Sequence, residues 1–264
     1  MRPEERSASI KAAARVGALG GVLYGAVALL GAVLGNMPLA ALVSQTVATE
    51  WGMGKLGLAW SNPLEREPTA KDIASRLGKG ALIGMAPAAV VLEWLHLTHT
   101  CDLFPASFSV TSLLLGLLSA ALTSVRDQIL LVGLGRRVLI HLDSALPRML
   151  AGGALFAARS YGAGGAAPAE VAASFCLGAF GAAIWQRDGS AYAAVGMNLA
   201  WLFTTETLFH GAFVEVRTLP SLLSGGDAGM GHGLAATVVL GACALAGWLA
   251  PRRHRAHTDP AKSS

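Results

Sequence analysis

Residues 16–49 read VGALGGVLYGAVALLGAVLGNMPLAALVSQTVAT, an uncharged run of 34 positions closed by Arg15 on one side and Glu50 on the other. A bilayer core about 30 Å thick is crossed by about 20 apolar helical residues. A single helix over this run would extend about 51 Å at about 1.5 Å per residue, too long for one upright span and short for two. The expected solution is a break at Asn36-Met37-Pro38 followed by a short re-entrant half. That geometry keeps the basic start, with Arg2, Arg6, Lys11 and Arg15, on the same side as Lys55. A cleaved signal peptide fits less well, because the apolar part is too long and Glu4-Glu5 dilutes the basic start.

Further apolar runs cover 81–97, 108–125, 149–158, 171–185, 190–209 and 234–249. The runs at 149–158 and 171–185 are short and need their polar flanks to reach span length. The composition agrees with this pattern. Of the 264 residues, 14% are charged and 53% hydrophobic, and the mean hydropathy is +0.53. Soluble domains carry about 25% charged residues, so a soluble globular enzyme is disfavoured, and disorder is excluded by the hydrophobicity. The 32 glycines would weaken helices in water, but small residues let helices approach closely in lipid. The expected fold class is all-α, a polytopic transmembrane helix bundle of about seven to eight spans forming one integral membrane domain over 1–264. A β-barrel is disfavoured because the runs do not alternate.

Loop charges give an orientation. The stretch 98–107 has no Lys or Arg and is placed outside. Alternation then puts Lys55, Arg66, Lys71, Arg76 and Lys79 inside, followed by Arg126, Arg136, Arg137 and Arg148, then Arg187, then the tail with Arg252, Arg253, Arg255 and Lys262. Only Arg159 and Arg217 fall outside, in accord with the positive-inside rule. The chain thus divides into a basic N-tail (1–15), an amphipathic connecting segment (50–80), the spans, and a basic cytoplasmic C-tail (251–264). The net charge of +4 is explained by orientation and by anionic lipid head groups as partners. It does not call for nucleic acid.

Several polar features invite a chemical reading. Glu93, His96 and His99 are spaced by three, a metal-ligand spacing on a helix. They are weak metal candidates, because no second such pair exists and the cluster sits at a membrane exit, where polar residues are expected. Glu206 and His210 lie four apart near the end of a span, and ionisable residues in a membrane default to a functional hypothesis such as a proton path. Gly133-Leu134-Gly135 lacks the third glycine and the preceding strand of a dinucleotide fingerprint. The glycine-rich stretch 225–233 reads as a flexible external loop. Cys101, Cys176 and Cys243 form no CxxC and imply neither a disulfide framework nor a zinc ribbon. No cofactor is expected.

Three stretches within 122–210 together resemble one family, the CAAX protease and bacteriocin-processing family (CPBP, ABI) of intramembrane endopeptidases. Leu122 to Leu134 is similar to the family's E-E-x-x-x-R-G segment. Met149 to Ser160 is similar to its F-x-x-x-H segment. Gly189 to Thr204 resembles its G-S-x-x-x-x-x-G-x-H-x-x-x-N-F helix, and Leu56 to Ser61 looks like its entry segment. The framework residues Gly133, Phe156, Gly196, Trp201 and Phe203 match. The resemblance implies a helical membrane fold in which a glutamate activates water and histidines polarise a peptide carbonyl. Carried over by position, the two glutamates are Asp127 and Gln128, the arginine Val132, the first histidine Ser160, the second histidine Asn198 and the following asparagine Leu202. None keeps the family residue. Gln128 and Val132 stand one helical turn apart, so losing both members of a glutamate–arginine pair together avoids an uncompensated buried charge, which would cost about 3–5 kcal/mol.

The expectation is therefore a catalytically impaired pseudoprotease in a bacterial plasma membrane, binding a transmembrane or lipidated peptide or protein partner. One alternative is an active intramembrane peptidase using Asp127, with Gln128, Asn198 and Ser160 as hydrogen-bond donors, in protein processing or sorting. A second is a small transporter or proton-path protein using Glu93, Glu206 and His210.

Overall fold

In the computed structural model, residues 3–58, 60–61, 67–106, 109–139, 142, 144–162, 166–219 and 222–250 are described. The C-tail 251–264, together with Arg2 and Arg66, lies outside them. The chain forms α1 (Pro3–Val33), α2 (Pro38–Lys55), α3 (Ala70–Leu97), β1 (Cys101–Pro105), α4 (Val110–Asp127), α5 (Gly133–Val138), α6 (Ala145–Gly162), α7 (Pro168–Asp188), α8 (Ala191–Leu202), β2 (Val214–Thr218) and α9 (Leu234–Leu249). A helical bundle is thus the architecture, capped by one two-stranded antiparallel sheet.

The uncharged run 16–49 does break where expected. α1 ends at Val33 and α2 starts at Pro38, because proline supplies no N–H to a preceding turn but suits the first helical position. The arms fold back on each other. Gln45 of α2 donates from Nε2 to the Val27 carbonyl at 3.0 Å, and Gly52 receives Leu23. Both outer ends of this hairpin therefore point the same way. α1 begins at Pro3, so Lys11 and Arg15 of the basic N-tail are helical. The expected connecting segment 50–80 is shorter than its polarity suggested. Glu50 to Lys55 belong to α2, and α3 begins at Ala70, where Thr69 and Asp72 form a reciprocal capping box.

Four helical stretches are long and apolar enough to cross a membrane: Ile10–Val33, Ala70–Leu97, Val110–Val138 and Pro168–Asp188. The apolar helix α9, Leu234–Leu249, is shorter. The third stretch corrects the expected loop at Arg126. α4 does not stop at its charges but passes through a π-helical turn, Gln128–Val132, into α5. Gly133 N–H donates to the Gln128 carbonyl five residues back, the signature of that wider turn. Arg126 and Asp127 consequently lie within a helical rod of 29 residues, about 17 Å from its end at about 1.5 Å per residue.

Glycine decides how closely the bundle packs. Gly80 and Gly84 of α3 lie on the backbone of α8 at Ala193 and Met197, while Gly196 of α8 lies on the α3 backbone at Leu77. A Cβ at any of these would collide with main-chain atoms. The α6–α7 crossing repeats the device, with a Cβ at Gly178 falling 2.6 Å from the Gly152 carbonyl oxygen. These are small-residue crossings of the type that lets helices associate in lipid.

The two ends of the bundle differ. At one end Arg76 of α3 pairs with Asp188 of α7 at 3.2 Å, Trp60 stacks on Tyr192 at 5.2 Å, and Arg137 Nε donates to the Leu56 carbonyl at 3.2 Å. At the other, β1 and β2 pair Cys101 with Thr218 through to Pro105 with Val214. Cys101–Pro105 and Val214–Thr218, the latter holding Arg217, thus share one side. The glycine-rich loop is not a loose connection. It folds into two tight turns, Gly226–Ala228 and Met230–His232, and Met230 is 3% exposed.

Replacing Gly84 by Ala should cost about 1–3 kcal/mol, as overpacked interiors do, whereas Gly78→Ala, which meets nothing within 4 Å, should be neutral or slightly stabilising. Thermal unfolding of both variants in detergent checks this, and equal midpoints would refute the close α3–α8 crossing.

Candidate functional site

The π turn brings two of the motif positions into the interior side by side. Asp127, the last residue of α4, is 3% exposed and Gln128 is fully buried. The Asp127 carboxylate is held at both oxygens. Arg126 Nε donates to Oδ1 at 2.8 Å, and Arg159 Nη1 of α6 donates to Oδ2. Arg126 in turn donates from Nη1 to Gln45 Oε1 at 2.7 Å, which links the pair to the α1–α2 hairpin. An ionised carboxylate between two guanidiniums is the pattern by which proteins hold charge away from water. Arg159, which orientation alone assigned to the outer face, is instead half-buried against Asp127, its long chain reaching inward.

The other motif positions divide. Asn198 of α8 is fully buried, and α8 packs on both α4 and the π turn. Ser160 turns away. Its hydroxyl lies 3.4 Å from Glu170 Oε1 of α7, so it stands apart from the Asp127 ion pairs. Val132 is fully buried, and its side chain lies near Gly152 of α6. The framework residues Gly133, Phe156, Gly196 and Trp201 are packing residues. Phe156 and Trp201 are buried, and a Cβ at Gly133 would fall 2.5 Å from Leu58.

Around the charged pair lies a set of buried polar groups that sequence reasoning passed over. The side-chain amides of Gln128 and Asn198 and the hydroxyls of Thr49, Ser124 and Thr204 have no hydrogen-bond partner among the described residues. The Gln128 amide abuts Gly181 of α7, where a Cβ would come within 2.7 Å of both of its polar atoms. Thr49 lies on α2, Ser124 on α4, and Thr204 on a second π turn, Phe203–Leu208, which packs on α4. An amide offers both a donor and an acceptor, so this interior can hydrogen-bond a peptide group.

Nearer the sheet-capped end, Glu206 and His210 line an open cavity of about 200 Å³ together with Thr205, Met230 and His232. Glu206 lies within electrostatic range of Arg159, Asp127 and His210, so the mid-bundle ion pairs and this cavity form one charged system. The Glu206–His210 spacing is legible in the residues, whereas the proximity of Glu206 to Asp127 is not. His232 sits below its usual histidine pKa because burial disfavours the charged ring, with Glu170 opposing weakly.

The metal candidates fall elsewhere. Glu93, His96 and His99 are exposed. His99, with φ of 53°, is the left-handed residue closing α3, and Thr100 N–H reaches back to the Leu95 carbonyl at 2.9 Å. No cluster of three or more His, Cys, Asp or Glu side chains placed to hold a metal occurs among the described residues. All three cysteines are free. No known protein family, curated protein or solved structure matches the chain.

Asp127→Asn leaves Arg126 buried without its anion and should destabilise the fold by about 3–5 kcal/mol, and adding Arg126→Gln should restore part of the loss. A double-mutant cycle in detergent measures the coupling, and strictly additive losses would refute the pair. The His232 shift sets a second expectation. With its folded pKa below the ordinary 6.5, the neutral ring contributes stability above that pH, which is lost as pH falls toward the folded value. A His232→Gln variant should flatten that acid limb of the thermal midpoint, and an unchanged limb would remove His232 as its source.

Proposed function

We propose that the chain is a pseudoprotease of the CAAX-protease-like fold. It sits as a multi-span protein, of about seven spans, in a bacterial plasma membrane with its C-terminus on the cytoplasmic side. In place of cleaving a peptide it binds a transmembrane or lipidated one. The observation that carries this reading is the state of Asp127, the single ionisable side chain left at the motif positions. A general base must present a lone pair to the water it deprotonates. Each Asp127 carboxylate oxygen already accepts from a guanidinium, Arg126 at one and Arg159 at the other, so a water would share the carboxylate with two cations. The neighbouring Gln128 and Asn198 do not titrate, and their amides suit hydrogen-bonding to a peptide group rather than activating water. Ser160, turned toward Glu170, contributes nothing to such a site.

The test offers the purified protein transmembrane and farnesylated peptides in detergent. Saturable binding without cleavage is expected, weakened about tenfold or more when Gln128 and Asn198 are both changed to Ala, each lost hydrogen bond contributing about 0.5–1.5 kcal/mol. Cleavage by the wild-type chain that disappears in Asp127→Ala would overturn the reading in favour of an active peptidase.

A second reading has one observation in its favour. Glu206 and His210 open on a cavity, and Glu206 lies within electrostatic range of His210, Arg159 and Asp127, as a proton-path protein would need. Glu93, exposed near the end of α3, has no part in it. Proton flux into liposomes separates this reading from the first: flux abolished by Glu206→Gln supports it, and equal flux in both proteins removes it.

A further inference from the structure

Two adjoining cavities open at the sheet-capped end. The first, of about 200 Å³, is lined by Thr205, Glu206, His210, Met230 and His232 among others. The second, of about 290 Å³, shares Thr205, His210, Gly229 and Met230 with it. It adds Phe209 and three residues of β2, Glu215, Val216 and Arg217. Gly229 borders both cavities. Its φ of 87° lies in the left-handed region that glycine favours, and a Cβ there would meet nothing within 4 Å.

The charges on this lining do not cancel. Arg217 is committed to Glu215 at 2.8 Å and lies over the Phe104 ring at 4.6 Å. Glu206 enters no ion pair among the described residues. The charged groups within its electrostatic range are Arg159, Asp127 and His210, and the first two are already paired with each other. Arg126, the second partner of Asp127, reaches Gln45 of α2 instead. Only the His210 imidazole is left as a counter-charge for Glu206, and Glu215 acts on that ring as well. The other polar groups mainly accept hydrogen bonds. Thr205 directs its proton to the Trp201 carbonyl at 2.9 Å. His232, neutral because burial disfavours the charged ring, keeps one acceptor nitrogen.

We propose that these joined cavities bind a small primary organic amine, its ammonium on Glu206 and its hydrocarbon chain against Met230, Phe209 and Val216. The ammonium brings three donors and one positive charge, which the acceptor-rich lining and the Glu206 carboxylate lack. A bare metal ion fits less well. The space is far larger than one ion, and no three His, Cys, Asp or Glu side chains are placed to hold a metal among the described residues. Apolar walls with a few placed polar groups are the usual make-up of a small-molecule site. The inference goes beyond both functional readings, because it requires neither a peptide in the Asp127 interior nor proton flux.

The test titrates the full chain, in neutral detergent and phosphate buffer, with butylammonium, n-butanol or sodium at matched ionic strength, and reads binding by calorimetry. Butylammonium should bind saturably, while n-butanol and sodium should give no saturable heat. Glu206→Gln, which keeps the shape and removes the charge, should weaken butylammonium by about tenfold or more, as loss of a charge-assisted hydrogen bond does. Glu206→Asp should recover part of that loss. Glu93→Gln, an exposed acid that does not line the cavities, should bind as the parent chain does. No saturable binding of butylammonium, or equal affinity in the parent chain and Glu206→Gln, would overturn the site. Equal binding of n-butanol would overturn the ammonium assignment, and equal binding of sodium would overturn the organic one. Peptide binding and proton flux are read separately, so failure here leaves those readings to their own tests.

Discussion

A carboxylate inside a helix bundle must be paired, and the pairing of Asp127 organises much of the interior. Its two partners come from different places: Arg126 is its chain neighbour, and Arg159 arrives from α6. Arg126 then reaches Gln45, and Gln45 reaches the backbone of α1. One acidic side chain thereby connects α1, α2, α4 and α6. Effective dielectric screening is weak in such a place, so each link is strong if complete and costly if broken. Two guanidiniums on one carboxylate leave a surplus positive charge, and Glu206 lies within electrostatic range of Arg159 and Asp127.

The close helix crossings make this network possible. Side chains such as arginine reach their partners only when helices approach to a defined distance. Gly80, Gly84 and Gly196 bring α3 and α8 nearly backbone to backbone, and Gly152 and Gly178 do the same for α6 and α7. Those crossings hold α8 and α6 in place, and with them Asn198 and Arg159. The π turns add the remaining adjustment. Each inserts one residue, shifting the helix phase so that Gln128 on one helix and Thr204 on the other turn inward.

Not all of this was legible from the residues alone. The break at Asn36-Met37-Pro38 was, because proline acts locally. The pairing of Cys101–Pro105 with Val214–Thr218 was not, because Arg217 reached that side only by counting spans. The position of Arg126 was not. A charge at the end of an apolar run looks like a membrane exit, and only the continuation of α4 into α5 shows that it is interior. The glycine crossings were visible as composition but not as partners, since nothing in Gly84 names Met197. The reach of Arg159 to Asp127 escaped for the same reason: it joins residues 32 positions apart through a long flexible side chain. His99 misled in another way, because its three-residue spacing from His96 looked like ligand geometry but serves a left-handed helix terminus.

The resemblance and the geometry meet at the motif positions. With Gln128 and Val132 uncharged, Asp127 is the one carboxylate at these positions and needs a counter-charge from elsewhere. Arg126 and Arg159 supply it from positions outside the motif. That arrangement holds the one carboxylate at these positions between two cations. It is compatible with recognition, because the amides of Gln128 and Asn198 stay buried without a partner among the described residues. Such groups are tolerable in a resting interior when something with matching donors and acceptors can complete them. A peptide backbone carries one group of each kind, as a pair of unpartnered amides requires.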